Sequence, residues 1–249
     1  MARWFTLWSA LLMSLYALPV QAEGGARAAA SAVALAAAGT QSAALELDAT
    51  DRYRLALLRM KGHLSVARAL LQIGVPGVGH HLQEPMQDIF GEIEAELEER
   101  GAPFTADVLE QLEHATRGEA VTALATIEIA VTAINGSIAQ TGALETGSAL
   151  DLAEGLLRQA VANYEAAVIE NAVVELRSYQ SGRGFVTEAE ALVRYSSGLK
   201  GRPGHDALLR SVVLIRQAWP GIVPPPIVFN PQDVASRLEE AVAVMDELR

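Results

Sequence analysis

The stretch Arg52-Tyr53-Arg54-Leu55-Ala56-Leu57-Leu58-Arg59-Met60-Lys61-Gly62-His63-Leu64-Ser65-Val66-Ala67-Arg68-Ala69-Leu70-Leu71-Gln72-Ile73 decides the fold class. Its apolar residues recur with a period near 3.6, and Gly74-Val75-Pro76-Gly77 supplies a stop immediately after it. The pattern predicts a long amphipathic helix. Tyr53, Ala56, Met60, His63, Ala67 and Leu70 fall on one stripe of that helix, so a thioether and an imidazole point the same way from an otherwise apolar face.

The same periodicity continues toward the C-terminus. Pro85 opens a helix that runs through Ile89, Phe90, Ile93 and Leu97 to Gly101. Thr105 caps a short helix through His114, and an apolar segment follows from Glu119 to Ala139. A longer helix is predicted from Ser148 to about Tyr179, with Gln180-Ser181-Gly182-Arg183-Gly184 as its break. Thr187 and Glu190 have capping-box spacing for a further helix, and Pro203-Gly204 precedes the apolar run Leu208 to Trp219. Pro224-Pro225-Pro226 must be extended, because each residue before a proline is pushed out of the helical region, and Asn230-Pro231 restarts a final amphipathic helix. No alternating strand pattern competes. The expectation is an all-α, up-and-down helical bundle over residues 47–249, either one elongated bundle or two packed four-helix halves over 47–141 and 148–249.

Ahead of the bundle, Arg3 precedes an apolar run from Trp4 to Leu18 that ends at Val20-Gln21-Ala22, the composition of a secretory signal peptide over residues 1–22. The apolar core is too brief for a membrane span, and no stable span is expected once the leader is cleaved. Residues 23–46 are Ala-rich and read as a tether or loosely docked helix. The address is therefore periplasmic or secreted.

Composition then narrows the chemistry. Cysteine is absent, which excludes disulfides, thiolate metal sites, covalent c-type haem and a thiol nucleophile. The formal net charge of −11 disfavours nucleic acid, since counterion release needs clustered Lys and Arg. Lysine occurs only at Lys61 and Lys200, so no polybasic membrane patch exists. No Gly-x-Ser-x-Gly elbow or His-Glu-x-x-His zinc helix is present, and the expectation is a non-catalytic protein.

The densest set of unusual residues is Met60, His63, His80, His81, Glu84, Met86 and Asp88, which holds three of the five histidines. The turn from Gly74 to Gly79 folds His80, His81 and Glu84 back beside the helix that carries Met60 and His63. His with Met suits copper, His with carboxylate suits iron or zinc, and a His with Met pair also suits non-covalent haem. The same residues equally suit a plainer role, with Met60 filling the core, His63 a hydrogen-bonded core histidine and His80-His81 in a solvated loop. Glu128, Thr132 and Asn135 form a polar stripe in an apolar segment, as do Tyr164, Asn171 and Glu175. A buried Glu128 needs a cation or a partner, and Arg177 or Arg183 is the ordinary one.

A cysteine-free helical chain with a leader, a Gly62-His63 helix and interior Glu and Tyr residues resembles the imelysin-like family of periplasmic proteins linked to uptake of iron or other metals. That family's hallmark is Gly-x-His-x-x-Glu. Here Gly62 directly precedes His63, and Val66 stands where the glutamate would, so the resemblance carries over His63 alone. It implies a periplasmic protein that binds a metal ion or metal-containing ligand between helices for capture or delivery, with His63, His80, His81, Glu84, Met60 and Glu128 as candidate ligands. The other expectation is an envelope interaction or scaffold module that binds a protein partner through its acidic surface without metal.

Overall fold

The structure is a computed structural model that describes residues 46–249. The expected leader over 1–22, nearly all of the Ala-rich segment, and the side chains of Glu84 and Pro85 lie outside the described residues. The fold is all-α. Its helices are α1 (Ala49–Ile73), α2 (Gly79–Leu82), α3 (Glu84–Arg100), α4 (Ala106–Ala115), α5 (Ala120–Ala139), α6 (Thr146–Ala167), α7 (Leu176–Tyr195), α8 (His205–Arg216) and α9 (Pro231–Leu248).

The deciding stretch forms α1, and both ends follow from its sequence. Asp48 accepts a hydrogen bond from Asp51 N–H at the start. At the end Gly74 turns left-handed, with φ 67°, and Val75 N–H bonds back to Leu70. Alpha-1 then serves two cores at once. Tyr53, Ala56, Leu57, Met60, Leu64 and Ala67 pack with α3, α4 and α5, whereas Leu58 joins the core built by α6 to α9. The two expected halves therefore share their first helix.

One predicted helix is divided in the structure. Residues 148–179 do not form a single helix: α6 stops at Ala167, and Val168–Ile169 pairs antiparallel with Ala172–Val173 as strands β1 and β2. Glu170 and Asn171 between them both have positive φ, 51° and 60°, the conformation of a two-residue hairpin turn. Flanking β-branched residues and an Asn that tolerates the left-handed region make the turn cheaper there than a continued helix. Glu175 then caps α7, its carboxylate accepting from the N–H groups of Arg177 and Ser178.

The predicted break at Gln180 to Gly184 is helix interior. Alpha-7 passes straight through it because neighbouring elements lie too close for side chains. A Cβ on Gly184 would stand 2.8 Å from the Gly62 carbonyl carbon, and one on Gly62 would stand 2.8 Å from the Phe185 ring. A Cβ on Gly182 would meet Trp219 at 2.8 Å and the Ala160 carbonyl oxygen at 2.9 Å. Thr187 is likewise no cap, its hydroxyl donating to the Arg183 carbonyl within the helix. The glycines let α1 and α7 touch, backbone against backbone, at His63.

Trp219 anchors the C-terminal half. It is buried edge-on against Tyr164 at 4.9 Å between centroids, and its indole N–H donates to the Tyr179 carbonyl. The proline-containing strap that follows lies along the hairpin, with Val228 N–H on the Asn171 carbonyl and Tyr164 Oη on the Phe229 carbonyl.

Candidate functional site

Where α1 crosses α7, the short α2 brings one more imidazole. His63 Nδ1 and His81 Nδ1 stand 3.3 Å apart, and both residues are buried. The ring centroids are 5.6 Å apart, so the two nitrogens lie almost on the line joining the rings, the geometry of one N–H···N bond. Phe185 closes the other flank of His63 edge-on, at 5.3 Å. Gly62, which left this surface open in the sequence, is thus covered by α7.

The hydrogen-bond chain fixes both tautomers. Gln180 Nε2 donates to the Ile222 carbonyl at 3.4 Å, which assigns the other end of the amide as oxygen. That oxygen faces His81 Nε2 at 3.1 Å, so His81 carries its proton on Nε2 and leaves Nδ1 bare. His63 must then donate from Nδ1, and its own Nε2 is left with a lone pair. No described residue hydrogen bonds to that nitrogen, and His63 lines an open cleft of about 610 Å³ between α1, α3, α6 and the start of α7.

Both rings are held neutral. Burial pushes His63 down to about 3, and Arg59, Arg177 and, at low pH, a protonated His81 add to the shift. Burial pushes His81 down to about 4, and Arg177 adds to it, while the hydrogen bond to Gln180 opposes the shift. The His63 lone pair is therefore available to a Lewis acid throughout the neutral range.

Met60, His80 and Glu128 separate from this pair. Met60 is fully buried in the core with Leu82 and Met86, as in the plainer role. His80, one residue from the buried His81, faces solvent. Glu128 is exposed and pairs with Arg68 at 3.1 Å on the far part of α1, so neither Arg177 nor Arg183 is its partner. The backbone of Glu84 lies at the first position of α3. The Tyr164, Asn171 and Glu175 stripe is dispersed by the hairpin. Among the described residues no three His, Asp or Glu side chains converge as a metal-ligand set. Sequence reasoning missed Gln180, which it placed in a loop 99 residues from its partner, and Arg59, which lines the cleft one turn before His63.

Comparisons with known protein families, with curated proteins and with solved structures gave no match.

Proposed function

We propose that this chain is a non-catalytic periplasmic or secreted binding protein that captures a metal-containing ligand in the cleft, with His63 Nε2 as the protein's donor atom. One observation carries this reading: the chain Ile222, Gln180, His81, His63 fixes the tautomer that leaves Nε2 of the cleft-lining His63 bare. Histidine ligands of metals are held in this way, with the second ring nitrogen donating to a partner that sets tautomer and orientation. The donor set fits a ligand that brings most of its own coordinating atoms, since His63 offers one lone pair, Met60 is buried in the core and Glu128 pairs with Arg68. Copper, iron, zinc or haem can each accept imidazole nitrogen. The imelysin-like expectation and the expected leader agree with such a role.

Titration of the purified protein with copper, iron, zinc and haem tests the reading, alongside metal analysis of protein taken from the periplasm. His63→Ala should lose saturable binding while keeping its helical circular dichroism. Nitrogen-15 spectra of the imidazoles should show His63 protonated at Nδ1 and His81 at Nε2. Absence of His63-dependent binding in every titration sinks the proposal. The exposed Val223, Ile227 and Phe229 of the strap favour a second reading, an envelope-protein docking surface, in which His63→Ala would match wild type in all titrations.

A further inference from the structure

Arg59 and His63 lie one turn apart on α1, and both line the cleft. Their unmet capacities are opposite in kind. The Arg59 guanidinium makes a single hydrogen bond among the described residues, from Nη1 to Glu92 at 2.9 Å, and that carboxylate is itself half exposed. Its Nε is buried with no acceptor. A buried donor left in that state is unfavourable, so an oxygen brought to it by a ligand gains more than one offered to a solvated group. His63 Nε2, by contrast, has a lone pair and needs an electron-pair acceptor.

The chain as a whole is acidic, at −11, and the cleft lining sets Arg59 and Arg177 beside Asp88 and Glu175. Of its carboxylates, Glu175 is committed to the N–H groups at the start of α7, and Asp88 is solvent-exposed. Arg59 stands one turn from His63 on the same cleft wall, so a naked divalent cation at Nε2 meets the repulsion of a neighbouring guanidinium. A complex of net negative charge reverses its sign.

We infer that the ligand is an anionic metal chelate: a transition-metal ion already held by carboxylate-type oxygens, with one coordination position open to His63 and a chelator oxygen placed to accept from Arg59. This rests on His63 as the donor atom and adds the class of the cargo. No bond of the chelator breaks; a water or other weak ligand leaves the metal as the imidazole enters.

The test compares copper(II) ions with copper(II) nitrilotriacetate, a singly negative chelate that leaves positions free, by calorimetry and visible absorption on the folded chain. Wild type should prefer the chelate. Arg59→Gln should weaken chelate binding about tenfold, the loss expected for one charge-assisted hydrogen bond, and should leave binding of the copper ion equal or tighter. Glu92→Gln, which removes the carboxylate partner and keeps the guanidinium, should bind the chelate at least as well as wild type. Chelate binding that depends on His63 but is unchanged in Arg59→Gln overturns this inference and leaves the His63 reading standing. Binding of neither probe, in a protein whose circular dichroism is intact, overturns both.

Discussion

Two glycine-bearing stretches behave in opposite ways. Gly74-Val75-Pro76-Gly77 ends a helix, whereas Gln180-Ser181-Gly182-Arg183-Gly184 lies inside one. At Gly74 the backbone is left-handed and nothing lies within 4 Å of where a Cβ would stand, so the residue is used for its φ. At Gly184 the neighbouring Gly62 backbone occupies the Cβ position, so the residue is used for its missing side chain. Local sequence presents the same residue type for both purposes. Only the partner helix, more than a hundred residues earlier in the chain, distinguishes them.

Alanine breaks the two stretches by different amounts. Gly184→Ala forces α1 away from α7 and should cost about 3 kcal/mol or more, since neither backbone can yield as a flexible side chain does. Gly74→Ala meets no neighbour and pays only for the left-handed backbone, about 1–2 kcal/mol. Urea denaturation of both variants checks the ranking. Equal losses, or a larger loss at Gly74, would show that the crossing has slack. Gly184→Ala should also disturb the His63 and His81 pair, because Phe185 and Gly62 frame it.

A smaller effect belongs to the two buried imidazoles. In the unfolded chain each histidine takes up a proton near pH 6.5, whereas the folded pair resists until about pH 4 for His81 and about 3 for His63. Stability from these groups is thus complete well above pH 6.5 and falls as the pH drops through that window. Between pH 6.5 and 5.5 the loss should be about 1 kcal/mol for each imidazole. The urea midpoint measured against pH should show this slope, and His81→Gln should flatten it by roughly half. A slope unchanged in His81→Gln would mean that water already reaches the pair.

Much of this arrangement was legible. Alpha-1 and its Gly74 stop followed from periodicity, and the short turn after it implied that the 80–81 region folds back onto His63. The hairpin was misread although its signal was present: Val168-Ile169 and Ala172-Val173 flank the two residues Glu170-Asn171, which is hairpin spacing, but the helical period on both sides masked it. Gln180 was not legible by any local rule. Its role depends on α7 continuing through two glycines, and those glycines are tolerated only because Gly62 and Trp219 are against them. Glu128 failed for the reverse reason, as an apolar composition around it suggested burial that the packing of α5 does not provide.

That failure sets the smallest prediction. Arg59 and Arg68 both reach from α1 to a carboxylate on another helix, Glu92 and Glu128 respectively. The Arg68 pair is solvated, with Glu128 more than half exposed, so side-chain ordering and hydration cancel most of its attraction. Glu128→Gln should change stability by less than about 0.5 kcal/mol, and added salt should erase the difference. It should leave metal or chelate binding untouched, because the carboxylate serves Arg68 and lies on α5, which contributes nothing to the cleft. Lost binding in Glu128→Gln would require α5 to reach the cleft in solution, and would replace a single-donor site with one in which His63 and a second helix close around the metal together.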